Sequence, residues 1–232
     1  MLEFPRRPAS GAFFIQAGVK LDLRSIGSWL RRLANLDLRV FDEVRTNPDA
    51  TIPGVIIAGL AMLAAGIGGW LWWVVKDYPA QDDSPLPAMD VLVHSGLIGS
   101  VLATVLWGFI WLLIVYIMLT QVFRQPAYVE QLLRVMGLGA APMTLMGLMF
   151  IPGLSLAIGV TALALTFALT NVAIKSVTSA DVAQVLAANL FGFLVWCAAL
   201  TLLASAVEPH APGVFLFNSI SRIADDVLSF PT

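Results

Sequence analysis

Gly54–Val75 reads GVIIAGLAMLAAGIGGWLWWVV, twenty-two residues without one ionisable side chain. A helix needs about 20 mainly apolar residues to cross a roughly 30 Å hydrocarbon layer, so this stretch is predicted to span a bilayer. The rest of the chain agrees with it. Hydrophobic residues make up 59% of the 232 positions and charged residues 12%, and the mean hydropathy is +0.86. A water-soluble domain usually devotes about a quarter of its residues to charge, so the expected fold class is an all-α integral membrane protein.

Working outward, four more segments qualify. The second span is expected over 91–122, and its length allows tilt. The third covers 132–151 and contains Pro142, which removes a backbone donor and is predicted to kink the helix. Pro152 and Gly153 make a corner into the fourth span, 154–174, so these two are antiparallel neighbours. The fifth runs over 182–206. The expected organisation is a cytoplasmic amino-terminal segment (1–50), a five-span membrane domain (51–207) and an external carboxyl-terminal segment (208–232).

Basic residues orient this map, because short cytoplasmic loops are enriched in Lys and Arg. Eight of them, Arg6, Arg7, Lys20, Arg24, Arg31, Arg32, Arg39 and Arg45, precede the first span. Arg124, Arg134 and Lys175 fall on the same side, and only Lys76 and Arg222 on the other. The expected location is therefore a bacterial plasma (inner) membrane, with the amino terminus cytoplasmic and the carboxyl terminus outside. The opening MLEFPRRPASGAFFIQAGVK has too brief an apolar patch for a cleaved signal peptide.

Two flanks are amphipathic. Between Arg24 and Arg45, Ile26, Leu30, Leu33, Val40 and Val44 recur at helical spacing, which predicts a helix in the cytoplasmic interface with its basic side toward anionic headgroups. Leu216, Ile220, Ile223 and Val227 make a shorter stripe, expected on the outer surface or against a partner subunit.

Helices in lipid associate through close backbone approach and interhelical hydrogen bonds. Small residues at intervals of four mark candidate contact faces: Ala61, Ala65 and Gly69; Gly137 and Ala141; Ser155 and Gly159; Ala188 and Gly192. Asn171 and Asn189 are expected near the cytoplasmic ends of adjacent spans, where either amide bonds across the interface. Trp70, Trp72 and Trp73 fit an aromatic belt at headgroup level, and Trp107 and Trp111 read as packing or lipid contact. Arg134 is expected to snorkel toward cytoplasmic headgroups.

Sites of chemistry are sparse. The single Cys197 allows neither an internal disulfide nor a thiolate cluster. His94 at the outer start of the second span, with His210, is the one candidate for a metal or tetrapyrrole, set against an ordinary interfacial histidine. The acidic stretch KDYPAQDDSPLPAMD could bind Ca²⁺ weakly through Asp82 and Asp83 but lacks the alternation of a dedicated calcium loop, so a solvated turn is expected. There is no Gly-x-Ser-x-Gly elbow and no His-Glu-x-x-His motif. No enzyme activity, cofactor or nucleic-acid partner is expected.

Three patterns carry a family resemblance. FDEVRTNPDATIPGVIIAGLAMLAAGIGG (41–69) is a charged helix, an Asn-Pro-Asp turn and a Gly/Ala-rich span. RVMGLGAAPMTLMGLMFIPGL (134–154) has Gly139 and Pro142 inside a span and Pro152-Gly153 at its exit. AIKSVTSADVAQVL (173–186) joins a Lys-bearing helix end to a Ser-rich turn and the next span. In this order, over about 41–206, they resemble the Yip family of Ypt/Rab-interacting polytopic membrane proteins, in its bacterial branch. The resemblance implies five spans and no settled activity. The Asp-Leu-Tyr-Gly-Pro type motif of the eukaryotic members is absent, so GTPase binding is not carried over.

The expected function is a non-enzymatic scaffold or accessory subunit of a membrane complex, or a membrane organiser. Its partners would be lipid, other membrane subunits or further copies of the chain. The alternatives are a transporter or channel component using the Pro142 break, and a pigment- or redox-cofactor-binding subunit using His94.

Overall fold

The computed structural model describes residues 23–75, 87–151, 153–207 and 213–216. Among them every regular element is helical. Two short helices come first, α1 (Leu23–Ala34) and α2 (Val40–Thr46). The continuous amphipathic helix expected from Arg24 to Arg45 is thus divided. The break is a Schellman turn: the Asp37 N–H bonds Arg32 O and the Leu36 N–H bonds Leu33 O, both at 2.9 Å, with Leu36 left-handed at φ 58°. Arg32 closes the corner, donating from Nε to Asp37 Oδ2 at 2.8 Å and from Nη1 to Glu43.

A 3-10 turn, Pro48–Ala50, leads into the first long helix, α3 (Thr51–Val75). The Asn47 side chain accepts from the Asp49 N–H at 3.0 Å, satisfying one of the donors that a helix start leaves open. Pro53 then falls in the first turn of α3, where its missing N–H costs nothing. The second long helix, α4 (Ala88–Val122), contains three π-helical stretches, Leu92–Ile98, Trp107–Leu112 and Met118–Val122. The chain continues through α5 (Val129–Gly139), α6 (Ser155–Val177) and α7 (Val182–Val207).

Among the described residues, four helical stretches are long and apolar enough to cross a membrane: Pro48–Val75, Ala88–Val122, Ser155–Val177 and Val182–Ala204. The predicted third span is not a fifth such helix. The α-helix stops at Gly139, and Ala141–Leu148 is wound as a 3-10 helix with Pro142 in its first turn. The proline ring has no N–H to give and would strike the carbonyl four residues back. Gly153, at φ 76°, then turns the chain into α6; Pro152 lies outside the described residues.

This broken segment sits at the centre. Leu132, Val135, Met136, Leu138, Met143 and Met146 are all buried, and α5 with its 3-10 continuation packs against α3, α6 and α4. Non-α backbone at membrane depth is tolerated where protein encloses it. The segment Gly213–Leu216 is also inside. Val214, Phe215 and Leu216 are buried, with Gly213 at φ 60° against Ala65, Phe215 against Gly99 and Leu216 against Gly159. At least this part of the carboxyl-terminal segment does not rest on the outer surface; Ile220, Ile223 and Val227 lie outside the described residues.

Candidate functional site

The most polar feature of the bundle lies where α2, α3, α5 and α6 meet. Arg134 on α5 is 7% exposed, so it is buried rather than extended toward headgroups. Its Nε donates to Thr51 Oγ1 at 2.7 Å, its Nη1 to the Arg45 carbonyl at 3.2 Å and its Nη2 to Glu130 Oε2 at 3.3 Å. Glu130 is exposed, which weakens the ion pair. The Arg45 carbonyl stands at the carboxyl-terminal end of α2, where the helix dipole favours a cation. Arg45 in turn donates to the Ser176 carbonyl at the end of α6. These two arginines thus tie four helices together.

A second polar knot lies among α4, α6 and α7. Asn189 is fully buried. Its Oδ1 accepts from Trp111 Nε1 at 2.8 Å, and its Nδ2 donates to Thr170 Oγ1 at 3.0 Å and to the Phe167 carbonyl at 3.2 Å. Trp111 also meets Phe193 edge-on at 5.0 Å between ring centroids and Trp196 at 5.4 Å. The Trp196 indole donates to the Ala103 carbonyl at 3.3 Å, a further link from α7 to α4. Trp111 is therefore a hydrogen-bonding residue of the interior and not a lipid contact, because the π-helical stretch at 107–112 sets it against α7. Asn171 does not join this knot. Its Nδ2 donates to Phe167 O on its own helix at 2.7 Å, and its buried Oδ1 has no partner among the described residues.

The small residues divide by role. Gly137 lies so close to the backbone of Gly54 that a methyl group at Gly137 would collide with α3, and one at Gly54 would press on the α5 backbone at Arg134. Gly192 meets Trp111, and Gly159 receives Leu216 rather than a neighbouring helix. Ala61, Ala65, Gly69, Ala188 and Ser155 are buried, whereas Ala141 is half-buried. Gly66 lies against the Gly96 backbone and Gly68 against the Met146 backbone, and neither belongs to the 61/65/69 series. The run Gly66-Ile67-Gly68-Gly69 was the signal for them, but a four-residue rule selects only one glycine of the three.

His94 is exposed on α4, with Nδ1 2.9 Å from the Asp90 carbonyl, and His210 lies outside the described residues. Among the described residues no group of three or more His, Cys, Asp or Glu side chains converges on a metal-sized site. The aromatic belt is altered: Trp72 and Trp73 are buried in the core, while Trp70 reaches the Ala88 carbonyl at 2.9 Å. Asp82 and Asp83 fall outside the described residues.

Two cavities flank the polar ties. One, of about 530 Å³, lies between α2, α6 and α7 and brings Asp42, Asn171 and Lys175 among aliphatic side chains. The other, of about 790 Å³, lies between α1, α3, the 3-10 segment and α6, and its wall is apolar except for Thr144. The chain matches no family model, no curated protein and no solved structure.

Proposed function

We propose that this protein is a non-enzymatic, multi-pass component of the bacterial plasma membrane that serves as a scaffold or accessory subunit. The observation that carries the reading is the use made of the interior polar groups. Arg134 and Asn189 each bond to groups on two further helices, so the groups most costly to place in lipid are spent on assembly. The resemblance to the bacterial Yip proteins belongs to the same proposal. In it the chain crosses five times, with α5 and its 3-10 continuation as the third crossing. Eleven α residues at 1.5 Å and eight 3-10 residues at 2.0 Å reach about 32 Å, enough for a hydrocarbon layer. The amino-terminal helices would lie in the cytoplasmic interface.

The face offered to a partner subunit or a second copy is the outer side of α4. Val101, Val105 and Phe109, four residues apart, are 62%, 47% and 72% exposed. Purification from native membranes in mild detergent, followed by mass spectrometry, is expected to show a stoichiometric membrane partner or a defined homo-oligomer, lost on Phe109→Ala. A bare monomer that passes solute across liposomes would replace this reading with the transporter alternative. That alternative draws on the helix break at Pro142, since discontinuous helices line many transport sites. The cavity beside the break speaks against a polar solute, because its wall is aliphatic except for the Thr144 hydroxyl, whose proton is already given to the Ala141 carbonyl at 2.8 Å and which keeps only its acceptor capacity.

A further inference from the structure

We infer that the cavity of about 530 Å³ between α2, α6 and α7 binds a single-chain zwitterionic lipid, a lysophosphatidylethanolamine, with its glycerol hydroxyl at Asn171, its phosphate at Lys175 and its ammonium at Asp42. The inference rests on the membrane topology of the proposed function and goes beyond it by assigning a ligand.

An unused acceptor comes first. Asn171 lines the cavity, and its Nδ2 donates to the Phe167 carbonyl at 2.7 Å. That bond orients the amide, since the reverse arrangement would set two oxygens against each other. Oδ1 is then buried without a partner among the described residues, whereas Asn189 on the neighbouring helix uses both its oxygen and its nitrogen. A buried acceptor left open is costly and calls for a donor from outside the chain.

The wall carries charges of both signs, and neither is fully used. Lys175 stands one turn from Asn171 on α6, about 6 Å nearer the cytoplasmic end. Its Nζ gives one proton to the Ala180 carbonyl at 2.5 Å, and an ammonium has three. Asp42 faces the same space from α2. Its Oδ1 is 3.5 Å from Arg45 Nε, a long and exposed pair, and Arg45 also donates to the Ser176 carbonyl. An anionic headgroup alone would oppose Asp42 and a cationic one Lys175, so a zwitterion answers both. The α7 side of the wall is Val182, Val185 and Leu186; Val182 and Leu186 are 71% and 46% exposed, a surface that a soluble zwitterion would leave wet and an acyl chain would cover. Asn171 lies deeper than Lys175, as glycerol lies below phosphate in a bilayer. A diacyl lipid offers only ester acceptors at that level, whereas loss of one chain frees a hydroxyl donor for Oδ1. Ethanolamine rather than choline follows from Asp42, because a quaternary ammonium has no N–H to donate.

Three lipids separate the contacts. The full-length protein in mild detergent is titrated with lysophosphatidylethanolamine, with diacyl phosphatidylethanolamine, which lacks the hydroxyl, and with lysophosphatidylcholine, which lacks the N–H groups; bound lipid is counted by native mass spectrometry. One lysophosphatidylethanolamine per chain is expected, bound about three- to tenfold more tightly than the diacyl lipid, the worth of one net hydrogen bond, and about two- to fivefold more tightly than the choline lipid, the worth of a half-exposed ion pair. Asn171→Leu should abolish the first preference and spare the second; Asp42→Asn should do the reverse. Unchanged thermal unfolding verifies that each variant is folded, and the three-lipid comparison on the unaltered protein stands without them. Equal retention of the three lipids, retention of none, or preferences that survive both substitutions would each overturn the inference while leaving the membrane reading intact. A protein that stays dispersed without detergent and retains no lipid would bring down both.

Discussion

Asn189 satisfies one acceptor and two donors within a few ångströms, and each bond reaches another helix. Replacing it by Leu removes the acceptor for the Trp111 indole and leaves that N–H buried without a partner, which costs about 1–3 kcal/mol. We expect Asn189→Leu to lower stability in detergent by about that amount. A double-mutant cycle with Thr170→Val should give a coupling of about 0.6–1.7 kcal/mol, and additive effects would remove the bond from the account. The pair was only half visible beforehand. Asn171 and Asn189 look alike in the sequence, yet rotation about the helix axis places Asn189 inward between α4 and α6 and leaves the Asn171 oxygen without a partner among the described residues.

Between elements, close approach decides the packing. An alanine methyl at Gly137 has the Gly54 backbone in its way, whereas one at Gly108 meets nothing within 4 Å. Gly137→Ala is expected to destabilise the bundle by about 1–3 kcal/mol; Gly108→Ala should be neutral or stabilise by up to about 1 kcal/mol through helix propensity. Comparable losses in the two variants, read from thermal unfolding in one detergent, would refute the contact. The docking of α1 on α2 has its own electrostatics. The Glu43 carboxylate is held below its usual range chiefly by the Trp29 indole, which donates to it at 2.8 Å, and then by Arg32. Asp37 is held below its range chiefly by Arg32. Both are depressed in the folded state, so their contribution is complete above the ordinary carboxylate range near pH 4 and is lost as pH falls through the lower folded values. Hydrogen exchange in α1 should therefore stay constant from pH 7 to about pH 5, after correction for intrinsic rates, and docking should loosen below about pH 4. Glu43→Gln, which keeps an acceptor but not the charge, should shrink that acid step.

On the scale of the whole molecule, the order of apolar segments and the asymmetry of Lys and Arg predict an odd number of crossings. Reporter tags at the two ends are expected in opposite compartments, the amino terminus in the cytoplasm. Tags in the same compartment would exclude α5 and its 3-10 continuation as a full crossing. The buried stretch Gly213–Leu216 shows how a whole-chain contact escapes a segment-by-segment reading. Four apolar residues are too few to register as an element, yet gaps between four helices receive them at Ala65, Gly99 and Gly159.

Hydropathy and length determined by themselves that the chain is helical and carries membrane-length apolar helices, because each such helix meets its backbone hydrogen bonds internally and needs only its own side chains to suit lipid. The broken third segment was legible through Pro142, whose ring acts locally whatever surrounds it. Only the tertiary structure decided which tryptophans face inward, that Arg134 is buried and bonded instead of extended, and that α1 and the 3-10 segment enclose a groove. Those outcomes depend on helix rotation and on residues more than eighty positions apart, such as Thr51 and Arg134, and no periodicity within one helix specifies what stands opposite it.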